Sequence, residues 1–150
     1  MNVASCMTRA VLAVGPDTSV EAAARLMISN HVGGTPVVDA AGRPVGFLSV
    51  KDLVDPDRKH SDAVGQSHGY RLTECKLDPV EAGPVTRPGI VGDVMTRFLL
   101  TVSPSIELEE AQRLMIADDL HRVIVVNDGG CIVGILSAMD VLRALAPDHP

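Results

Sequence analysis

The sequence predicts an α+β fold in which two pseudo-symmetric β-α-β-β-α repeats pack sheet to sheet. The first observation is an internal repeat: residues 6–54 align without a gap to residues 94–142, with 20 identical pairs in 49 positions. The second is that each copy alternates short apolar stretches with one segment of helical period. The third is size, because units of about 50 residues are marginal alone and should share a core.

Each copy begins with a short strand and a helix. The apolar stretches "VLAV" and "LLTV" run into Pro16 and Pro104, which end them. The helices follow, with apolar residues at the i, i+3, i+4, i+7 spacing that marks one buried face. These are Val20, Ala23, Ala24, Met27 and Ile28 in the first copy, and Leu108, Ala111, Met115 and Ile116 in the second. Thr18 with Glu21 predicts a capping box at the first helix start.

A β-hairpin and a second helix complete each copy. In the second copy, "VIVV" and "CIVGIL" flank "NDGG", which is a strong turn signal; in the first, "PVV" and "PVGFL" flank "DAAGR". The closing helices are predicted over Ser49–Val54 and Ser137–Leu145. The predicted organisation is therefore a first repeat at 4–54, a linker at 55–91 and a second repeat at 92–145.

The linker shows no sustained periodicity and is rich in Pro and Gly. We interpret it as a variable segment that is partly ordered against the core, because a stretch of this length is usually functional or mobile. His60, His68 and Cys75 have spacings that fit no known metal-ligand pattern, so no metal site is predicted.

Composition narrows the function classes. A net charge of −6 argues against a nucleic-acid surface. The three cysteines are odd in number and lack metal-ligand spacing, which predicts isolated reduced thiols. No apolar run approaches the roughly 20 residues of a membrane span, and no signal peptide is evident. We expect a soluble, cytoplasmic protein without membrane association.

One motif repeats with its chemistry intact: "GFLSVKD" at 46–52 returns as "GILSAMD" at 134–140. Ser-x-x-Asp at the start of a helix is a capping box that need bind nothing. A helix N-terminus also attracts phosphate, and a carboxylate suits the paired hydroxyls of a ribose. The glycine would let a ligand approach the backbone. From the residues alone, the helix cap and the nucleotide site remain equally open.

The ordered set of motifs resembles the CBS domain, named for cystathionine β-synthase, as a tandem pair or Bateman module in a stand-alone bacterial-type protein. The matching stretches are "CMTRAVLAVGPDTSVEAAARLM" and "HVGGTPVVDAAGRPVGFLSVKDLV", with their partners "VMTRFLLTVSPSIELEEAQRLM" and "LHRVIVVNDGGCIVGILSAMDVLRAL". The resemblance implies two clefts that bind AMP, ADP or ATP, and in some members NAD or S-adenosylmethionine. It also implies a non-catalytic regulatory module, with no required cofactor, that forms a homodimer.

The resemblance also assigns residues to each cleft. The first would use Ser49, Lys51, Asp52, Thr101, Val102, Leu120, His121, Arg122 and Val123. The second would use Leu12, Ala13, Val32, Gly33, Gly34, Thr35, Pro36, Ser137 and Asp140. Asp52 and Asp140 would hold ribose, and Arg122 matches a family arginine that binds phosphate.

The two clefts are predicted to be unequal. Ala13 and Gly34 stand where the family has Thr and Arg, so the Asp140 cleft should lack a polar base contact and a phosphate-binding cation. Ile124 replaces a usual Pro beside the other cleft. We therefore expect the Asp52 cleft to bind a phosphorylated ligand better.

Two functions remain as alternatives. The first is a sensor of adenine nucleotides that acts on a protein partner in trans. The second is a nucleotide-free scaffold for protein interaction and dimerisation, in which both motifs are only helix caps. No stretch combines a nucleophile, a base and an orienting group, so an enzyme is not expected.

Overall fold

The computed structural model describes residues 1–54, 62–97 and 99–146. Its elements, in chain order, are β1 (Val11–Ala13), α1 (Val20–Ser29), β2 (Gly34–Val38), β3 (Pro44–Ser49), α2 (Val50–Val54), β4 (His68–Thr73), β5 (Lys76–Glu81), β6 (Thr101–Val102), α3 (Leu108–Ala117), β7 (Arg122–Val126), β8 (Ile132–Ser137) and α4 (Ala138–Leu145). Short 3₁₀ turns at Val3–Ser5 and Val91–Asp93 lie at the start of the two repeats. The predicted β-α-β-β-α order, present twice, is confirmed.

Three small sheets form the centre of the molecule, in the orders β1-β4-β5, β2-β3 and β6-β7-β8. Both predicted hairpins are present, and Gly42 and Gly130 adopt positive φ in their turns. Between the repeats lies a shared apolar layer, as the sequence predicted. It contains Val11, Ala13, Val38, Leu72, Ile124 and Ile132.

Part of the predicted linker forms regular structure that no sequence pattern indicated. Strands β4 and β5 form an antiparallel hairpin, and β4 also pairs with β1. Leu72 in β4 is buried in the shared layer. The turn gave no sequence signal because non-glycine residues, Glu74 and Cys75, occupy its positive-φ positions.

The cap of α1 also differs from the prediction. Ser19, not Thr18, is the N-cap residue, and its hydroxyl accepts a hydrogen bond from the Glu21 N–H. The buried Thr18 hydroxyl instead accepts from Gly15 N–H and donates to the His68 carbonyl. Thr18 therefore connects α1's leading turn to β4, which no local pattern could reveal.

The segment leading into each repeat packs on the other repeat. Val3 and Met7 are buried in the core of the second repeat, whereas Val91 is buried in the core of the first. The backbone follows the same exchange: Val3 N–H donates to the Ile106 carbonyl, and Val91 N–H donates to the Thr18 carbonyl. Each hydrophobic core is thus completed by residues from the other repeat.

The motif glycines, Gly46 and Gly134, leave space for a methionine from the leading segment of the other repeat. A Cβ atom on Gly46 would lie 2.5 Å from the Met95 sulfur, and one on Gly134 would lie 2.6 Å from the Met7 sulfur. The residue after each glycine exchanges two backbone hydrogen bonds with the leading segment of the other repeat. Phe47 pairs in this way with Thr96, and Ile135 pairs with Thr8. Close packing between repeats, rather than ligand approach, therefore explains the glycine.

The prediction that all three cysteines are reduced thiols is also wrong. Cys75 and Cys131 form a disulfide with a Cα–Cα distance of 5.8 Å, and Cys6 is free. The bond joins the β4–β5 turn to the turn of the β7–β8 hairpin. Because 56 residues separate the partners in sequence, the pairing depends on the fold. Disulfides are rare in proteins of the reducing cytoplasm.

Replacing Cys75 with serine should therefore lower the free energy of unfolding of the oxidised protein by about 2–4 kcal/mol, because the bond closes a long loop in the unfolded chain. The measurement is urea unfolding with and without a thiol reductant. The variant should be insensitive to the reductant, whereas the natural chain should lose stability in it. Three titratable thiols in the natural chain, purified without reductant, would contradict the bond.

Candidate functional site

Two cavities lie between the repeats, one beside each repeated Ser-Asp motif. The Asp52 cavity has a volume of about 260 Å³ and the Asp140 cavity about 240 Å³. The first is lined by Phe47, Ser49, Asp52, Thr96, Leu99, Leu100, Asp119, Leu120, His121, Arg122 and Ile124. The second is lined by Thr8, Ala10, Val11, Leu12, His31, Val32, Gly33, Gly34, Arg122, Ile135, Ser137 and Asp140.

The two linings correspond almost position for position at the 88-residue offset. Thr8 corresponds to Thr96, and both follow the exchanged methionines. His31 corresponds to Asp119, and both adopt positive φ at the end of the first helix of their repeat. Each cavity combines the hairpin and second helix of one repeat with the leading strand of the other. This arrangement is what a pseudo-twofold pair of ligand clefts requires.

In the Asp52 cavity the motif caps α2. The Ser49 N–H donates to Asp52 Oδ2 at 2.9 Å, and the Ser49 hydroxyl donates to the same oxygen at 3.1 Å. These bonds hold the carboxylate at the helix start, at the edge of the cavity. Capping and presentation to a ligand are therefore compatible roles for the same side chain.

In the Asp140 cavity the carboxylate is more enclosed. Asp140 is 7% exposed and forms a full capping box with Ser137. The Thr8 hydroxyl lies 3.3 Å from Asp140 Oδ1, and Arg143 Nη1 lies 3.4 Å from it. The Thr8 contact couples the exchanged segment of the first repeat to the motif of the second.

Cys6 lies close to this cavity and is the free thiol of the chain. Burial raises the pKa of the Cys6 thiol, and the nearby negative charge of Asp140 raises it further. The thiol is therefore protonated at neutral pH and presents no thiolate to a ligand.

The structure brings many of the predicted site residues to the cavity walls. At the Asp52 cavity these are Ser49, Asp52, Leu120, His121 and Arg122. At the Asp140 cavity they are Leu12, Val32, Gly33, Gly34, Ser137 and Asp140.

The remaining predicted site residues do not line the cavities. Lys51 and Thr101 are exposed. Val102, Val123, Ala13, Thr35 and Pro36 are buried. The Thr35 hydroxyl donates to the Leu12 carbonyl at 2.8 Å and so holds the strand that forms one wall.

Sequence reasoning missed the walls contributed by Thr8, Thr96, Phe47 and Ile135. A signal was available: Thr8 and Thr96 are an identical pair in the repeat, and Phe47 and Ile135 occupy equivalent positions after the motif glycines. The exchange of leading segments explains their location, but it becomes visible only in three dimensions.

Arg122 lines both cavities, so the expectation that the Asp140 cleft lacks a cation is wrong. The reason is Gly34, the position equivalent to Arg122 in the first repeat. A Cβ atom on Gly34 would lie 2.6 Å from Arg122 Nη1, so the absent side chain leaves room for the guanidinium. Arg122 Cζ also lies 5.9 Å from the centroid of the Phe47 ring.

Other site types find no support in the described residues. Within 1–54, 62–97 and 99–146, no three His, Cys, Asp or Glu side chains are grouped as metal ligands. His68 packs edge to face on Tyr70, Cys75 is in the disulfide, and His60 lies outside the described residues. No helix in the same ranges is long and apolar enough to cross a bilayer.

Comparison with known proteins decides the family. The sequence model of the CBS domain matches residues 3–57 and 91–147. The chain belongs to the CBS domain family. The predicted tandem pair is confirmed, with one CBS domain in each repeat.

Two relatives illustrate the range of proteins that contain this pair. The chain is 31% identical over 135 residues to the chloroplastic CBS domain-containing protein CBSX2 of Arabidopsis thaliana, covering 87% of this chain and 57% of CBSX2. Inosine-5′-monophosphate dehydrogenase of Methanocaldococcus jannaschii is 27% identical over 133 residues, covering 89% of this chain and 21% of that enzyme. The CBS pair thus spans little more than half of one relative and a fifth of the other.

Solved structures share the fold over almost the whole chain. The crystal structure of CBSX2 in complex with AMP has a TM-score of 0.71 and 27% identity, and the match covers 96% of this chain and 95% of that one. The cytosolic domain of the Mg²⁺ channel MgtE in complex with ATP has a TM-score of 0.70 and 25% identity, with coverage of 96% and 48%. The packed arrangement of the two CBS domains is therefore that of known CBS pairs.

Proposed function

We propose that this CBS pair is a non-catalytic regulatory module that binds an adenine nucleotide of the AMP, ADP or ATP type in the clefts between its repeats. One observation carries the proposal: both cavities present an aspartate and a serine at a helix start, and both reach the guanidinium of Arg122. That set of groups matches the two polar ends of a nucleotide. A sensor of energy state or of a metabolite is the role that such binding supports.

The chemistry of each group suits one part of the ligand. Asp52 and Asp140 accept hydrogen bonds and can receive two hydroxyl groups of a ribose. Arg122 offers a planar fork of donors that fits phosphate oxygens. The walls contributed by Leu99, Leu100 and Ile124 on one side, and by Val11 and Leu12 on the other, are apolar and suit the faces of a base.

The relatives support the ligand class. CBSX2 was crystallised with AMP and the MgtE domain with ATP, which share adenosine and differ in phosphate count. The presence of a CBS pair within inosine-5′-monophosphate dehydrogenase fits a regulatory part, because the match covers a fifth of that enzyme. NAD and S-adenosylmethionine remain further candidates within the adenosyl class.

Calorimetric titration tests the proposal. AMP, ATP, NAD and S-adenosylmethionine are titrated into the natural chain and into Asp52→Ala and Asp140→Ala variants. We expect at least one adenosyl ligand to bind, with each substitution weakening one cleft by roughly tenfold to a hundredfold, because hydrogen bonds to a charged group contribute about 1.5–3 kcal/mol. A folded protein that binds none of the four ligands would contradict the proposal.

The nucleotide-free scaffold is the second candidate, and one observation favours it. The helices carry apolar side chains that are at least 60% exposed, among them Ile28, Val54, Ile116, Leu142 and Leu145. Such a surface on both repeats suits an isologous homodimer. We propose that the dimer forms whether or not a nucleotide is bound, so the two candidates differ only in the ligand.

The output of the module is proposed to act in trans on a protein partner or through the dimer. A nucleotide can shift such an equilibrium only by its differential affinity for the two states. A cytoplasmic location stays the prediction from the sequence, whereas the Cys75–Cys131 disulfide favours an oxidising compartment.

A further inference from the structure

Arg122 occupies a position that breaks the pseudo-symmetry of the two cavities. Apart from Ala10 and Ile124, the other wall positions come in pairs at the 88-residue offset, each member facing its own cavity. Arg122 lines both cavities, because its counterpart Gly34 has no side chain. One guanidinium therefore lies at the boundary between two clefts that would otherwise each need one.

Its electrostatic situation is distinctive. Arg122 is the only Lys or Arg among the described residues that line the two cavities. The acidic wall residues are Asp52 and Asp119 in one cavity and Asp140 in the other. No ion pair joins Arg122 to a carboxylate within the described parts of the chain. Its contact there is the Phe47 ring, which leaves the N–H donors available for an anion.

We propose that Arg122 is a single phosphate-binding cation shared by both clefts, so that a phosphorylated adenosyl ligand in one cleft weakens the binding of a second one in the other. The inference rests on the proposed nucleotide-binding function and adds a regulatory property to it. A guanidinium that has neutralised one phosphate offers less attraction to the next, and two phosphates drawn to one cation repel each other. An adenosyl ligand without phosphate escapes this coupling.

The coupling makes the module sensitive to the mixture of ligands. A phosphorylated ligand and an uncharged one can occupy the two clefts together, whereas two phosphorylated ligands compete for Arg122. Because linkage is reciprocal, either cleft can be the one that takes the cation.

The test uses AMP and adenosine as the charged and uncharged probes, titrated calorimetrically into the full chain. Asp52→Ala isolates the Asp140 cleft and Asp140→Ala isolates the Asp52 cleft. We expect AMP to bind each isolated cleft at least tenfold more tightly than the second AMP binds the natural chain. Adenosine should show no such difference. Two AMP sites whose affinities in the natural chain equal those of the isolated clefts would overturn the shared cation.

Substitution of the arginine gives an independent readout. Arg122→Gln should weaken AMP binding in both isolated clefts by roughly tenfold to a hundredfold and leave adenosine binding unchanged. Arg122→Lys keeps a cation and should retain more AMP affinity, and Arg71→Gln, on β4 outside both cavities, is the matched control. Loss of AMP affinity in only one cleft would overturn the inference while the proposed function stands. Absence of binding by AMP, adenosine, ATP, NAD and S-adenosylmethionine alike would overturn both.

Discussion

Replacing Met7 with alanine should lower the free energy of unfolding by about 2–5 kcal/mol, the cost of truncating a large side chain in a packed core. Met7 is 8% exposed and lies among the buried residues of the second repeat, although in sequence it belongs to the start of the first repeat. The cost should appear in urea unfolding. Hydrogen exchange should also report a greater loss of protection in β7 and β8 than in β2 and β3, because Met7 packs on the second hairpin.

Met139→Ala is the matched control, since Met139 is 54% exposed on α4. It should change stability by no more than about 0.5 kcal/mol. Equal effects of the two substitutions would show that the leading segment does not complete the second core. The exchange of leading segments between repeats would then be contradicted.

Replacing Leu142 with aspartate should convert the proposed homodimer into monomers. Leu142 is 60% exposed and, with Ile116 and Leu145, lines an apolar groove of about 550 Å³ between α3 and α4. An uncompensated carboxylate buried in a dimer interface costs several kcal/mol, which corresponds to at least a hundredfold rise in the dimer dissociation constant. Sedimentation over a range of protein concentrations measures that constant.

Val64→Asp provides the control, because Val64 is 57% exposed in the segment between the repeats and is not among the residues that line the groove between α3 and α4. It should leave the association state unchanged. A natural chain that sediments as a monomer at every concentration would contradict the dimer. A Leu142→Asp variant that still dimerises would place the interface elsewhere.

The repeat architecture could be predicted because it depends on local signals. The helical stripes of both repeats and the turn residues around Gly42 and Gly130 each specify structure within a few residues. The 88-residue repeat then required the same order of elements twice. Where a local signal was missing, as in the β4–β5 turn at Glu74 and Cys75, prediction failed.

Long-range features could not be predicted in the same way. The disulfide joins residues 56 positions apart, and the exchange of leading segments brings Met7 to Gly134. The sequence pattern allowed a ligand at Gly134, because a repeated glycine beside a serine and an aspartate also fits a site where a ligand approaches the backbone. The side chain that needs the space belongs to a distant residue.

The candidate site was partly predictable for a related reason. The motif residues Ser49, Asp52, Ser137 and Asp140 all reach cavity walls, because the repeat places each at a helix start. The reach of Arg122 into both cavities depends on the empty space above Gly34. A position-by-position comparison of the repeats predicts that the Asp140 cavity has no cation, because Gly34 stands in place of an arginine. In the folded chain, the space left by Gly34 is occupied by the guanidinium of Arg122.

The most direct test of the account is to locate the bound ligand by nuclear magnetic resonance, through chemical-shift changes of backbone amides as AMP is added. The account predicts that the largest changes cluster at the cavity walls, around Ser49 and Asp52, around Ser137 and Asp140, and at Arg122. Saturable changes confined to the outer faces of α1 and α3, with the cavity walls unaffected, would contradict nucleotide binding between the repeats.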